Sequence, residues 1–165
     1  MSATTLMLVL VAVLVTLVIA WAVSTAQRLD RLHIRLDRSR DALQAALDRR
    51  CAVIAATVPE LAVQAHATEE VRLTPLDLGS RLAQEHLLNE ALVHQMHDLG
   101  AVAESVRQAL KDADTRVMLA LRFYNDAVTD TRALRLVPAV RALRLGGTAA
   151  LPDYAVLEQL PLQAE

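Results

Sequence analysis

Leu6-Met-Leu-Val-Leu-Val-Ala-Val-Leu-Val-Thr-Leu-Val-Ile-Ala-Trp-Ala-Val23 is the stretch on which the reading of this chain turns. These eighteen residues hold twelve Leu, Val or Ile, and no charged side chain occurs anywhere in 1–27. As a helix rising about 1.5 Å per residue they reach roughly 27 Å, close to the roughly 30 Å hydrocarbon core of a bilayer. Each Leu, Val or Ile favours insertion by roughly 0.3–0.6 kcal/mol near the helix centre. Thr16 is the only polar interruption, and its hydroxyl can bond a carbonyl of the preceding turn. Trp21 stands near the far end, where an indole settles at headgroup level. The expectation is a membrane anchor over 1–27 that engages the lipid bilayer through Leu6 to Val23.

A cleaved signal peptide is the rival reading. Ala20-Trp21-Ala22 would pass as a small-residue site, but the segment lacks a basic n-region and its apolar core exceeds the usual 7–15 residues. Lipoprotein processing does not fit, because the only cysteine, Cys51, lies well beyond the segment. A lone cysteine also excludes an internal disulfide, so nothing argues for an oxidising compartment. Arg28, Arg31, Arg35, Arg38 and Arg40 follow the apolar run within the window where basic residues set topology. They place the N-terminus outside and the rest of the chain in the cytoplasm, in a cell membrane crossed once. Near the surface such arginines also attract anionic lipid headgroups, although those beyond Arg31 read equally as an ordinary solvated helix face.

Composition beyond the anchor points to helices. Aromatic residues make up 2% of the chain, with only 4 Gly and 5 Pro, while Ala, Leu, Arg, Asp, Glu and Gln dominate. Lys111 is the single lysine against many arginines, which reads as codon bias in a GC-rich genome. A net charge of −2 supplies no field that would hold nucleic acid. The expected fold class is all-α, one transmembrane helix followed by an antiparallel bundle of three to four helices. The bundle occupies 28–145, and 146–165, with Pro152 and Pro161, forms a flexible C-terminal tail.

Apolar residues at Leu29, Leu32, Leu36, Leu43, Ala46 or Leu47, Val53 and Ile54 mark one face of a first helix running to about Ala56. The anchor is expected to continue straight into it. Thr57-Val58-Pro59-Glu60 has the form of a capping box opening a second, shorter helix to about Arg72; alternatively Pro59 only kinks one long helix. Thr74-Pro-Leu-Asp-Leu-Gly-Ser80 is a turn with Thr74 and Ser80 as candidate caps. A third helix covers about Ser80 to Leu99 and stops at Gly100. In the fourth, Val102, Val106, Leu110, Ala113, Val117, Ala120 or Leu121, Tyr124 and Val128 form the clearest stripe, with Asp112 and Arg116 paired on the polar side. Pro138 ends or bends it, and Arg141 to Arg144 forms one more turn before Gly146-Gly147.

Signals of chemistry are sparse. Phosphate-binding glycine loops, the nucleophile elbow and C-x-x-C are all missing from the sequence. Cys51 reads as a small core residue. His86, Glu90, His94 and His97 share one helical face, a donor set suited to a transition metal, but equally a polar face with three histidines. The bland reading prevails: no metal, no cofactor, no catalytic residue and no enzymatic activity are expected.

Two segments carry a family resemblance. Leu47-Asp48-Arg49-Arg50, followed by apolar residues and Pro59-Glu60-Leu61, resembles the "LKRR-x-x-LIPNL" segment of the LemA family. Arg122-Phe-Tyr-Asn-Asp-Ala-Val128, preceded by Asp112 to Val117, is similar to that family's "E-x-R-I-x-x-A-R-R-x-YN-x-A-V" helix. The likeness spans roughly Leu6 to Leu145. Ser39-Arg40 stands where an aromatic is usual, and His97-Asp98-Leu99-Gly100 replaces a tyrosine–proline turn, so the chain would be a divergent member. The resemblance implies one N-terminal anchor, a cytoplasmic helical bundle and no established activity. Tyr124 falls on the apolar stripe and should be buried, with Asn125 and Arg122 tying the helix to a neighbour. Arg49 and Arg50 are expected to pair with acidic groups such as Asp126 or Asp130.

The function expected is a membrane-tethered interaction or scaffold module with an unknown protein partner. The alternative is an oligomerising stalk or coiled-coil component, a homo-oligomer whose heptads would have to survive Pro59, Pro75, Gly79, Gly100 and Pro138.

Overall fold

The apolar run and the first amphipathic stretch are a single helix. In the computed structural model α1 spans Ala3–Thr57, 55 residues without a break. The structure describes residues 2–99, 104–147 and 150–157, with the backbone alone for 97–99. Residues 3–23 are exposed apart from half-buried Ala22, and none of the most apolar stretch is buried. Thr16 donates its hydroxyl to the Ala12 carbonyl at 2.8 Å, which hides its polarity within the helix. This one helix is long and apolar enough to cross a membrane.

From Thr25 and Leu29 onward α1 has a buried side. Leu43, Leu47 and Ile54 are fully buried and Leu32, Leu36, Ala46 and Val53 half-buried, as the 3-and-4 spacing requires. The helix ends at Thr57 because Pro59 has no amide to donate and disfavours helical backbone at Val58. Pro59–Leu61 form a single 3-10 turn, and α2 runs Ala62–Glu70. Thr57 does not cap this turn; its hydroxyl bonds back to the Val53 carbonyl at 2.7 Å, so the expected capping box is absent.

An isolated bridge between Thr74 and Asp77 tightens the next turn, the only β pairing among the described residues. The cap of α3 (Gly79–Leu99) is neither Thr74 nor Ser80 but Asp77. Its carboxylate accepts from the Ser80 amide at 2.9 Å and the Ser80 hydroxyl at 2.6 Å. Those two bonds hold the exposed Asp77 carboxyl below its ordinary range. Gly100 and Val102 lie outside the described residues. The helix α4 is Glu104–Arg135, and α5 is Pro138–Ala142.

The main interface is between α1 and α4. Arg35 meets Asp130 and Arg50 meets Asp114, so the two helices run antiparallel. The stripe of α4 is buried as read: Leu110, Ala113, Val117, Leu121, Tyr124 and Val128 face inward, with Ala120 half-buried. The expected Asp112–Arg116 pair is replaced by a hydrogen bond from Gln108 to Asp112 at 2.9 Å. Two apolar clusters result. One joins Leu43 and Leu47 to Val117, Leu121, Tyr124, Val128 and Ala155. The other joins Cys51, Ile54 and Val58 to Leu61, Ala65, Leu88, Leu92 and Leu110.

Tyr124 is 3% exposed, and its hydroxyl donates to the Asp153 carbonyl at 3.0 Å. Truncating a buried aromatic costs about 3–5 kcal/mol, and losing one such hydrogen bond about 1. In the full chain in mild detergent, Tyr124→Ala should melt far below the parent and Tyr124→Phe only slightly below. Thermal scans followed by circular dichroism at 222 nm, a helix signal, read the difference. Equal melting of Tyr124→Ala and the parent would contradict the assigned faces.

Candidate functional site: a buried charge network and a clasped C-terminal segment

Between the two apolar clusters lies a row of charges. Arg50 on α1 and Arg81 on α3 are both fully buried, as are Glu85 and Asp114 to within 1%. A guanidinium carries five N–H donors, and burying it requires that they be met. Arg50 Nε donates to Asp114 Oδ1 at 2.6 Å, Nη1 to Glu85 Oε2 at 3.2 Å, and Nη2 to Asn89 Oδ1. Arg81 Nε and Nη2 both reach Glu85 Oε1, at 3.0 and 2.9 Å. Its Nη1 donates to Asp48 Oδ1 at 2.9 Å and to the carbonyls of Val71 and Glu69 at 2.8 and 3.2 Å. Arg81 thereby satisfies the end of α2 as well as α1.

The row continues through Gln44, whose amide donates to Asp48 Oδ1 at 2.6 Å and whose oxygen accepts from the Leu73 amide at 2.7 Å. Two arginines thus face three carboxylates. Asp114 Oδ2 is buried without a partner among the described residues, and burial pushes the Asp114 carboxyl up although Arg50 pulls it back.

The sequence reading assigned Arg49 and Arg50 to Asp126 or Asp130, and the structure corrects this. Arg49 and Asp126 are exposed, and Asp130 pairs with Arg35 at 2.8 Å in a half-exposed bridge. Arg50 turns inward because it sits on the apolar stripe, three residues after Leu47 and four before Ile54. Asp114 stands likewise between Leu110 and Val117, and Arg81 and Glu85 lie two turns and one turn before Leu88 and Asn89. Charges at stripe positions of three helices were the legible signal of a buried network.

The second feature is the Tyr124-Asn125 pair. The 146–165 stretch was expected to be a flexible tail, but residues 150–157 lie against α4. Asn125 holds the Ala155 backbone from both sides, donating to its carbonyl at 2.9 Å and accepting from its amide at 3.0 Å. Arg132 and Arg135 donate to the carbonyls of Pro152 and Ala150, each at 2.8 Å. The Arg132 guanidinium also lies 5.4 Å from the Tyr154 ring centre. Asn125 thus ties α4 to the C-terminal segment, whereas Arg122 is exposed.

On α3, Glu90 and His94 are exposed and His86 lies on the same outward side, 3.5 Å from Glu90. The side chain of His97 is outside the described residues, and no group of three potential ligands that could hold a metal occurs among them. Compared with known proteins, the chain matches no family model, no curated protein and no solved structure.

Cys51, far beyond the apolar run, is 1% exposed and donates to Glu85 Oε1 at 3.6 Å. Burial and the Glu85 charge push its thiol up to about 12, against a smaller opposing pull from Arg81 and Arg50. At pH 8 fewer than about one molecule in a thousand then carries the thiolate, the form that reacts. Iodoacetamide should therefore label Cys51 at least about a hundredfold more slowly in the folded chain than in denaturant. Similar rates, followed by mass spectrometry, would contradict the burial.

Proposed function

We propose that this protein is a single-pass membrane protein whose helical bundle works as a non-enzymatic interaction or scaffold module at the cytoplasmic face. The carrying observation is the division of labour along α1. Its first part exposes an unbroken apolar surface, and from Thr25 the same helix enters the core. An apolar surface of that extent facing water is unfavourable, and lipid is the solvent that suits it. The five arginines after Val23 favour a cytoplasmic domain and an external N-terminus in the cell membrane.

The non-enzymatic part of the reading is supported by where the charges point. Arg50, Arg81, Glu85 and Asp114 are bonded to one another inside the bundle rather than presented to a cleft. A candidate contact surface lies on the outer side of α4, where Leu119 and Phe123, one turn apart, are 53% and 55% exposed. Membership of the LemA family, as a divergent member, belongs to the same proposal. Its support is that the residues carrying the resemblance, Arg50 and Tyr124-Asn125, are the ones that tie α1, α3, α4 and the C-terminal segment together. Against a stalk stands the return of α4 along α1, which covers the face an oligomer of long helices would use.

Two outcomes are expected. A reporter active only in the cytoplasm, fused after Glu165, should be active, and replacing the five arginines by glutamine should lower that activity. A periplasmic or extracellular reporter active there instead would reverse the orientation. A photo-crosslinking residue at Phe123, irradiated in native membranes, should join the chain to a different, cytoplasmic protein. Adducts only to further copies of this chain would favour the stalk.

A further inference from the structure

At the junction of α4 and α5 three arginines surround one cleft. It measures about 370 Å³ and is lined by Arg135, Arg141 and Arg144, with Leu136, Val140 and Leu151 as apolar walls. The lining contains no acidic residue, and neither Arg141 nor Arg144 makes an ion pair with a carboxylate among the described residues. Arg135 is held by the Ala150 carbonyl and lies so close to Gly146 that a Cβ there would sit 3.1 Å from its Nε. Arg141 and Arg144, two cations on one cleft without a carboxylate partner among the described residues, repel one another, and an anion relieves that repulsion.

The backbone of Arg144 adds to this. After α5 the Leu145 amide bonds the Val140 carbonyl at 3.1 Å, the closure that usually follows a left-handed glycine. Here Arg144 occupies that position, with φ 51°, although Gly146 and Gly147 follow just after Leu145. A conformation that favours glycine is taken by a residue whose side chain lines the cleft.

The level of the cleft in the molecule indicates its ligand. Arg28 and Leu32 share a groove with Leu134 and Val137, so the end of α4 lies beside the part of α1 just past the apolar run. Arg28 follows Val23 by five residues, about 8 Å along a helix. Leu136 and Leu143, each 50% exposed, place apolar side chains beside the arginines, the mixture that suits the boundary between headgroups and acyl chains. We propose that this cleft binds the phosphate of an anionic phospholipid headgroup, with Arg141 and Arg144 as donors beside Arg135. The assignment of lipid as the source of that phosphate rests on the membrane reading above.

The test uses the full chain reconstituted in lipid nanodiscs. Native mass spectrometry counts retained phosphatidylglycerol against phosphatidylcholine, for the parent and for Arg141→Gln/Arg144→Gly. Removing two charges near the surface should weaken phosphatidylglycerol retention roughly thirtyfold, at the usual value per arginine. Arg144→Gly alone should retain less phosphatidylglycerol while melting no lower than the parent, since glycine suits its backbone. Equal retention by parent and double variant, or no preference over phosphatidylcholine, overturns the proposal. Displacement of phosphatidylglycerol by millimolar inorganic phosphate also overturns it, because the site would then serve a soluble anion. Carbonate extraction of native membranes reads the membrane assignment separately, since a chain released by carbonate can still be scored for phosphatidylglycerol in mixed micelles.

Discussion

The guanidinium of Arg50 joins three helices from inside the protein. Its donors go to Asp114 on α4 and to Glu85 and Asn89 on α3, while its own backbone belongs to α1. Moving one ionised side chain out of water costs several kcal/mol, recovered only where partners are close and well aligned. The helices are therefore placed to within hydrogen-bond tolerance of one side chain. Arg81 repeats the device one level away, binding α3 to α1 through Asp48 and to the end of α2 through two carbonyls. The apolar clusters on either side supply burial, and the charges between them supply register. Asymmetry remains at Asp114, where one carboxylate oxygen has no donor among the described residues and the carboxyl is pushed up.

The exposed apolar segment and the part of α1 that carries Arg50 belong to one unbroken helix from Ala3 to Thr57. That helix meets α4 through Leu43, Leu47 and Arg50, and α4 meets residues 150–157 through Tyr124 and Asn125. The C-terminal segment is gripped by its backbone, at the carbonyls of Ala150, Pro152, Asp153 and Ala155. Its side chains add the Tyr154 ring beside Arg132 and the buried Ala155 methyl in the first apolar cluster.

Much of this was legible in the residues. Spacing of Leu, Val and Ala placed α1 and α4 and their inward faces, and Pro59 and Pro138 marked where helices stop, because proline lacks the amide that a helix interior requires. Caps were read less well. Thr57 and Ser80 carry capping side chains, yet Thr57 bonds its own helix and Asp77 takes the role given to Ser80. Arg81, Glu85 and Asp114 were not singled out, and Arg50 was matched to Asp126 or Asp130 rather than to Asp114, Glu85 and Asn89. Their positions on the stripes carried the signal of burial. Docking of 150–157 had no periodic signature at all, since it is made of backbone carbonyls reached from α4. Only Asn125, a side chain with the donor and acceptor of a peptide group, hinted at a backbone partner.

The central claim is that Arg50 holds α1, α3 and α4 together because, among the described residues, it is the sole donor to the buried Asp114 carboxylate. Equilibrium unfolding of the full chain in mild detergent, for Arg50→Met and for Arg50→Met with Asp114→Leu, tests it most directly. Arg50→Met should cost about 3–5 kcal/mol by leaving a buried charge uncompensated. Adding Asp114→Leu should then restore at least about 1 kcal/mol, since the orphaned carboxylate is gone. A loss under about 1 kcal/mol for Arg50→Met, or a further loss on adding Asp114→Leu, would contradict the account.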